Sequence, residues 1–334
     1  MPVIRAPHEF NVDDLFVDLS GVVGHSMHLK CEGFNFAGSI KIKAALEMVQ
    51  AAERAGVLHP GGTLVESSSG NLGVALSTIA ANLGYRFICV TDPRCAPTSV
   101  TMMRALGAEV HVVRQPDGRG GYLGTRIARV RELCAADPEL IWLNQYANPG
   151  NWRAHYRRTA PAIAHEFPNL DVLFVGAGST GTLMGCARWF RDAGAATRVV
   201  AVDAVGSVTF GGPPARRAIP GLGTSVAPAL LDRDLVDDVV HVDDTETVAA
   251  CMLLASAGFL LGGSSGTVLA GALAWSAVHD SDRTLTSVAI APDLGERYAT
   301  TVYDETWVTN EVTAPNQRRA SQPTSVPIEE RPRT

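Results

Sequence analysis

Thr63–Leu83 reads TLVESSSGNLGVALSTIAANL. Thr63–Glu66 is a short β-rich run and Leu72–Leu83 is an Ala- and Leu-rich helical pattern. A turn of serine, glycine and asparagine joins them. The order returns at Asp171–Asp192, DVLFVGAGSTGTLMGCARWFRD, where the turn is Gly176-Ala177-Gly178-Ser179-Thr180-Gly181. Other β-rich runs lie at Arg86–Val90, Glu109–Val113, Leu140–Leu143, Arg198–Val202 and Ser287–Ala291, and another helical stretch at Lys43–Ala55. Strands alternating with helices predict an α/β fold of open parallel sheets covered by helices on both faces. Ligands in such sheets sit beyond the carboxyl ends of the strands, against helix N-termini.

The alternation falls into two units, one from about Phe36 to Trp142 and one from about Asn144 to Trp307. Arg114–Tyr122 (RQPDGRGGY) interrupts the first with a polar, glycine-rich loop, and Gly206–Gly223 is a long Gly/Pro-rich connection in the second. Loops of this length often cover active sites. From Thr313 onward, Pro315, Pro323, Pro327 and Pro332 stand among Ser, Thr, Gln and Arg, the composition of a disordered tail.

The chain has 334 residues, 46% apolar and 19% charged, which excludes disorder over most of its length. A net charge of -6 argues against a nucleic-acid partner. Its six cysteines form no CxxC pair, so zinc and redox spacings are absent and reduced, buried thiols of a cytoplasmic protein are expected. Met1–Asp18 lacks the basic and apolar regions of a signal peptide, and no apolar run is long enough to span a membrane.

Lysine occurs only at Lys30, Lys41 and Lys43; the other strong bases are arginines. A guanidinium keeps its proton and forms no imine, so any covalently held carbonyl cofactor must use one of these three. Asn35-Phe36-Ala37-Gly38-Ser39-Ile40-Lys41 places Lys41 in the first turn of a helix, where the dipole favours a neutral amine; a plain helix capped by Ser39 is the competing reading. Ser67-Ser68-Ser69-Gly70-Asn71 converges hydroxyls, amides and the Asn71 side chain on a helix N-terminus, a nest for a carboxylate. Gly176–Gly181 suits a phosphate. A dinucleotide turn with Asp203 as its acid stays open on these residues alone. Gly262-Gly263-Ser264-Ser265-Gly266-Thr267 opens a further helix and offers a neutral hydroxyl to a pyridine nitrogen.

An imine-capable lysine, a carboxylate nest, a phosphate loop and a serine-bearing loop, in this order, suit a pyridoxal phosphate enzyme. Over about residues 15–307 the set resembles the fold-type II, cysteine synthase-like β-replacement enzymes, whose architecture is that of the tryptophan synthase β chain. The resemblance implies two open parallel-sheet domains with the cofactor in the cleft between them: a smaller α/β domain at 36–143, and a larger cofactor-binding one from 1–35 and 144–312, followed by the tail 313–334. It also implies Lys41 as the Schiff-base lysine and proton carrier, and Asn71 on the cofactor's 3′-oxygen. Gly176, Ala177, Gly178, Ser179 and Thr180 would hold the cofactor phosphate, with Ser264 at the pyridine nitrogen. Ser68, Ser69, Gly70, Asn71 and Gln145 would bind the substrate carboxylate.

Pro116–Tyr122, Thr125–Ala128, Asn144–Asn148, Asn151-Trp152, His155-Tyr156 and Val202–Gly211 resemble the branch of N-(2-amino-2-carboxyethyl)-L-glutamate synthases. These start 2,3-diaminopropionate formation for siderophores and peptide antibiotics. The implied reaction takes O-phospho-L-serine through an aminoacrylate to the amine of L-glutamate, in a cytoplasmic homodimer with small amino acids as its partners. Arg126, Tyr146 and Ser179 would then recognise phosphoserine, against a solvated helix arginine at Arg126 and core packing at Tyr146. Arg216 and Arg217 could meet the glutamate carboxylates, though plain solvent-facing charge is the reading their loop favours. Two departures stand out: Phe36-Ala37 replaces the usual Pro-Gly, and Lys41-Ile42-Lys43 replaces Lys-Asp-Arg, which must alter nearby ion pairing. Cysteine synthesis from a serine ester and sulfide, another β-substituted alanine, and a non-enzymatic protein on the same fold are the alternatives.

Overall fold

The structure, a computed structural model, describes residues 3–10, 12–118 and 121–314. Its strands are β1 (Phe16–Asp18), β2 (Met27–Cys31), β3 (Thr63–Ser67), β4 (Arg86–Thr91), β5 (Glu109–Val112), β6 (Leu140–Trp142), β7 (Val172–Gly176), β8 (Arg198–Ala204), β9 (Asp238–Val242) and β10 (Ser287–Ala291). The helices are α1 (Ser20–Val23), α2 (Lys41–Arg54), α3 (Asn71–Leu83), α4 (Pro97–Ala105), α5 (Leu123–Ala136) and α6 (Pro149–Arg157). They continue as α7 (Thr159–Glu166), α8 (Gly181–Asp192), α9 (Asp244–Ser256), α10 (Gly263–His279) and α11 (Glu305–Val308).

Two sheets organise the chain. The smaller has the order β5-β4-β3-β6 and is parallel throughout. The larger has the order β1-β2-β10-β7-β8-β9 and is parallel except where β1 pairs antiparallel with β2. Central strands read as continuous apolar runs because both faces are covered: SVAIA of β10 is buried at every position, as is VLFV of β7. The smaller sheet packs Leu64 and Phe87 against Leu72, Val74, Leu76 and Ile79 of α3. In the larger sheet, one face packs Phe174 and Val202 on Trp275 and Leu269 of α10, and the other packs Leu173 and Val175 on Leu183 and Met184 of α8.

Three strands escape the sequence pattern. β1 is too short to show a period, β9 (DVVHV) sets Asp238 and His241 among its valines, and β2 (MHLKC) carries a lysine. β2 pairs with β10, so the N-terminal segment belongs to the larger sheet. Helix α2 starts at Lys41, two residues before the helical pattern suggested. Ile40 occupies its capping position, and the Ser39 hydroxyl is buried with no partner, so Ser39 is not the cap. Thr313 closes a last helical turn, Thr309–Thr313, rather than opening a tail; 315–334 lie outside the described residues, as do 119 and 120 of the RQPDGRGGY loop. Among the described residues no helix is long and apolar enough to cross a membrane.

Candidate active site

The carboxyl ends of β3 and β7 open on one cleft of about 530 Å³. Lys41, Ser68, Ser69, Gly70, Asn71, Arg126, Gln145, Tyr146, Gly176, Gly178, Ser179, Thr180 and Ser264 all line it. Ala177 does not. Its N–H donates to the Val202 carbonyl at 2.8 Å and its carbonyl accepts from Gly223 N at 2.8 Å, so the residue is spent on bonding within the larger sheet and its loop.

The three lysines part company here. Lys30 and Lys43 are buried in an ion cluster behind the cleft. Lys43 Nζ lies 2.6 Å from Asp13 Oδ1 and 2.7 Å from Glu32 Oε2, and Lys30 Nζ lies 3.2 Å from Glu32 Oε1. The altered Lys41-Ile42-Lys43 sequence explains this arrangement: Ile42 joins the apolar core of the smaller sheet, and Lys43 finds its carboxylates on the N-terminal segment. Lys41 alone reaches the cleft. Its surroundings hold little water, and this desolvation lowers its pKa below the ordinary lysine value while Asp293 pulls the other way. An amine so placed gives up its proton more readily than a surface lysine.

The serine nest is built on the first turn of α3. Ser68 Oγ accepts from Gly73 N at 2.8 Å and Gly70 N at 3.2 Å, which leaves its own O–H as a donor. Gly70, at φ +155°, makes a turn that side chains resist. Beneath the nest lies Glu66, fully buried, which accepts from Ser67 N at 2.7 Å, Gln145 N at 3.1 Å and Trp142 Nε1 at 3.3 Å. Burial pushes its pKa up to about 7 against these bonds. Gln145 Nε2 donates to the Ser67 carbonyl at 2.8 Å, tying β6 to the nest.

The phosphate loop sits where β7 meets α8. The first amides of a helix have no acceptor within it and carry the positive end of its dipole, so an anion is favoured there. At Gly178 a Cβ would stand 2.8 Å from the Gly221 carbonyl oxygen, a close backbone approach that only glycine permits. Ser179 Oγ accepts from Asn151 Nδ2 at 2.9 Å. Asp203, the acid a dinucleotide would need, is fully buried with Oδ1 accepting Ala204 N at 2.8 Å and does not line the cleft. The donor set thus fits a phosphate monoester rather than a dinucleotide. With a reachable amine at Lys41 and the neutral Ser264 hydroxyl at the start of α10, the residues present fit pyridoxal phosphate.

Asp293, Arg297 and Tyr298, after β10, were not singled out in the sequence. Asp293 Oδ2 accepts from Tyr298 OH at 2.6 Å and from Asn71 Nδ2 at 2.9 Å. Arg297 donates to Asn71 Oδ1 at 2.7 Å and to the Ala37 carbonyl. The Asn71 amide is therefore fixed in orientation by an acid on one side and a cation on the other. Burial raises the Asp293 pKa, opposed by Tyr298 and Asn71, and raises that of Tyr298 well above the phenol range. The local sequence carries only the string DLGERY at Asp293–Tyr298, whose acid, base and phenol stand close together just after β10.

Arg126 and Tyr146 meet on the wall of the cleft formed by α5 and the turn after β6. Arg126 is 5% exposed, its Nε is 3.2 Å from Asp92 Oδ2, and both its Nε and Nη1 hydrogens lack a hydrogen-bond acceptor. Burial raises the Tyr146 pKa, with Arg126 beside it acting in the opposite direction.

Residues 17–291 match the family described as pyridoxal-phosphate dependent enzyme. The chain is 43% identical over 293 residues to an N-(2-amino-2-carboxyethyl)-L-glutamate synthase of Cupriavidus metallidurans, spanning 87% of this chain and 86% of that one. It is 43% identical over 281 residues to a synthase of the same name from Ralstonia nicotianae, spanning 84% and 82%. The crystal structure of an O-ureido-L-serine synthase superposes with a TM-score of 0.83 at 30% identity, over 96% of this chain and 100% of that one. The chain belongs to the pyridoxal-phosphate dependent enzymes of fold type II, and within them it is a transferase-type synthase of β-substituted alanines.

Proposed function

We propose that the enzyme joins O-phospho-L-serine to the amine of L-glutamate, giving N-(2-amino-2-carboxyethyl)-L-glutamate and phosphate for 2,3-diaminopropionate biosynthesis. The β-carbon loses its bond to the phosphate oxygen and gains one to the glutamate nitrogen, whose proton leaves to solvent or base. Bound pyridoxal phosphate supplies the electron sink that makes the Cα proton removable and the β-substituent able to leave. Lys41 would hold the cofactor through its aldehyde carbon, and its amine, the one lysine amine that lines the cleft, would serve as the base for the Cα proton. Ser68, Ser69, Gly70, Asn71 and Gln145 hold the substrate carboxylate, and Asn71 also meets the cofactor's 3′-oxygen. Gly176, Gly178, Ser179 and Thr180 hold the cofactor phosphate, and Ser264 keeps the pyridine nitrogen company as a neutral hydroxyl. In this reading the enzyme is a cytoplasmic homodimer serving siderophore or peptide-antibiotic assembly.

The choice of a phosphate leaving group rests on Arg126. Arg126 is a buried guanidinium that lines the cleft, paired through Nε with Asp92 while its Nη1 lacks an acceptor, and such a cation suits an acceptor-rich anion; a departing phosphate carries about two negative charges. Tyr146 and Ser179 line the same cleft as further donors. The nucleophile is taken from the names of the two synthases. Mass spectrometry of products from the holoenzyme, offered O-phosphoserine or O-acetylserine with a panel of amines and sulfide, tests both halves. The glutamate adduct with phosphate release is the expected dominant product; cysteine as the dominant product overturns the reading.

A further inference from the structure

Arg216 lies on the connection between β8 and β9 and lines the cleft together with Trp307 and Glu311. Its guanidinium donates to Glu311 twice, to the side-chain carboxylate and, from Nη1, to the backbone carbonyl at 2.9 Å. Each side chain of the pair is 41% exposed. Both ends stand on firm ground. Asp244 accepts from Ala218 N at 2.8 Å and Ile219 N at 3.3 Å, which pins the loop just after Arg216. Ile219 packs with Tyr298 and Val302, and Trp307, one turn before Glu311, packs on the same cluster.

Other arginines of the cleft are held differently. Arg297 is held by Asn71 and the Ala37 carbonyl, and Arg217 donates to the Gly206 carbonyl. Arg126 stands on the wall assigned to the leaving group, and Arg94 lies over the Tyr122 ring. Arg216 instead holds a half-exposed carboxylate.

We propose that Arg216 docks a carboxylate of the incoming amine, and that Glu311 fills this position as an internal stand-in until an amino dicarboxylate displaces it. The proposal rests on the β-replacement reading and deepens it, because it assigns the chemical class of the nucleophile to a pair of residues. Glu311 presents a carboxylate on two methylenes, the same group that glutamate carries. Exchange is cheap on both sides: a half-exposed ion pair contributes little in water, and a ligand carboxylate restores the bond that Glu311 gives up. A neutral end group, such as the side-chain amide of glutamine, offers Arg216 only an uncharged oxygen acceptor in return.

Glutarate carries both carboxylates and no amine, so it binds without turnover. Calorimetric titration of the holoenzyme with glutarate is expected to show at least ten-fold weaker binding in Arg216→Gln and three- to ten-fold tighter binding in Glu311→Gln. In turnover, Arg216→Gln is expected to raise KM for glutamate at least ten-fold more than KM for glutamine, with partial recovery in Arg216→Lys. Equal glutarate affinity in wild type and both variants, or none detectable in wild type, overturns the assignment even if the glutamate adduct forms. Arg216-dependent glutarate binding in an enzyme that makes only cysteine would sustain the carboxylate site and overturn the proposed reaction instead.

Discussion

Arg126 is the side chain on which substrate choice turns. Removing it takes away a charge-assisted donor to a dianionic leaving group but little that an acetyl ester uses. Arg126→Ala is expected to lower kcat/KM for O-phosphoserine about 10- to 100-fold more than for O-acetylserine, from bonds worth about 1.5–3 kcal/mol. Equal losses with both esters would strip Arg126 of that role. Glu66 makes a separate, pH-dependent prediction. Its pKa is raised by burial to about 7, so between the ordinary carboxylate range and pH 7 the folded protein holds a proton that the unfolded chain has released. This group therefore subtracts stability as pH rises through that window. Glu66→Gln removes the effect. The stability difference between variant and wild type is expected to move in the variant's favour by about 2 kcal/mol from pH 5.5 to pH 8, read by urea denaturation at both values. The candidate Schiff-base lysine, serine nest and phosphate loop were legible as a set in their order along the chain and through the family resemblance, while each alone could also be a plain capped helix start. Asp293, Arg297 and Tyr298 were not legible as a set with Asn71. Their meaning comes from a contact across more than two hundred positions, and no local spacing encodes it.

At the level of elements, helix α2 is positioned from both ends of its first turn. Lys41 points to the cleft, while Lys43, two residues on, is locked to Glu32 and Asp13 behind it. Replacing Lys43 by Met strands the buried Glu32 carboxylate with Lys30 as its remaining cation. A loss of about 3 kcal/mol in unfolding free energy is expected, as for other broken buried pairs. Unfolding curves for Lys43→Met and for the triple variant Lys43→Met, Glu32→Leu and Lys30→Met test this: the triple variant should recover part of the loss, since Lys30 and Glu32 leave together and Asp13 keeps Arg158. The alternation of buried strands and helices was readable because parallel strands covered on both faces are uniformly apolar. β1, β2 and β9 broke that rule. β1 and β9 lie at the edges of the larger sheet, and β2 needs a lysine for the ion cluster.

Across the whole molecule, the two sheets are joined over the cleft by a carboxylate. Asp117, in the loop before α5, accepts from Gly121 N, Gly124 N and the Ser225 hydroxyl, the last at 3.0 Å. Ser225 belongs to the connection between β8 and β9, which also carries Arg216. We propose that residues 36–143 move as one smaller domain against the remainder and that this contact limits the motion. Asp117→Ala is expected to speed amide hydrogen exchange in 206–225 about ten-fold, since loss of the tie populates local opening. Unchanged exchange there would show that the contact bears no load.

The distribution of amines has a practical consequence. With Lys30 and Lys43 sealed inside and every other strong base an arginine, the folded chain presents a single lysine to acylating reagents, and that lysine lies in the cleft. Apart from the terminal α-amine, an activated-ester dye should attach to cofactor-stripped protein at one position and at close to one equivalent. Reconstitution should shield that position, so the dye attached there counts the molecules left unloaded, checked by peptide mapping of the dye.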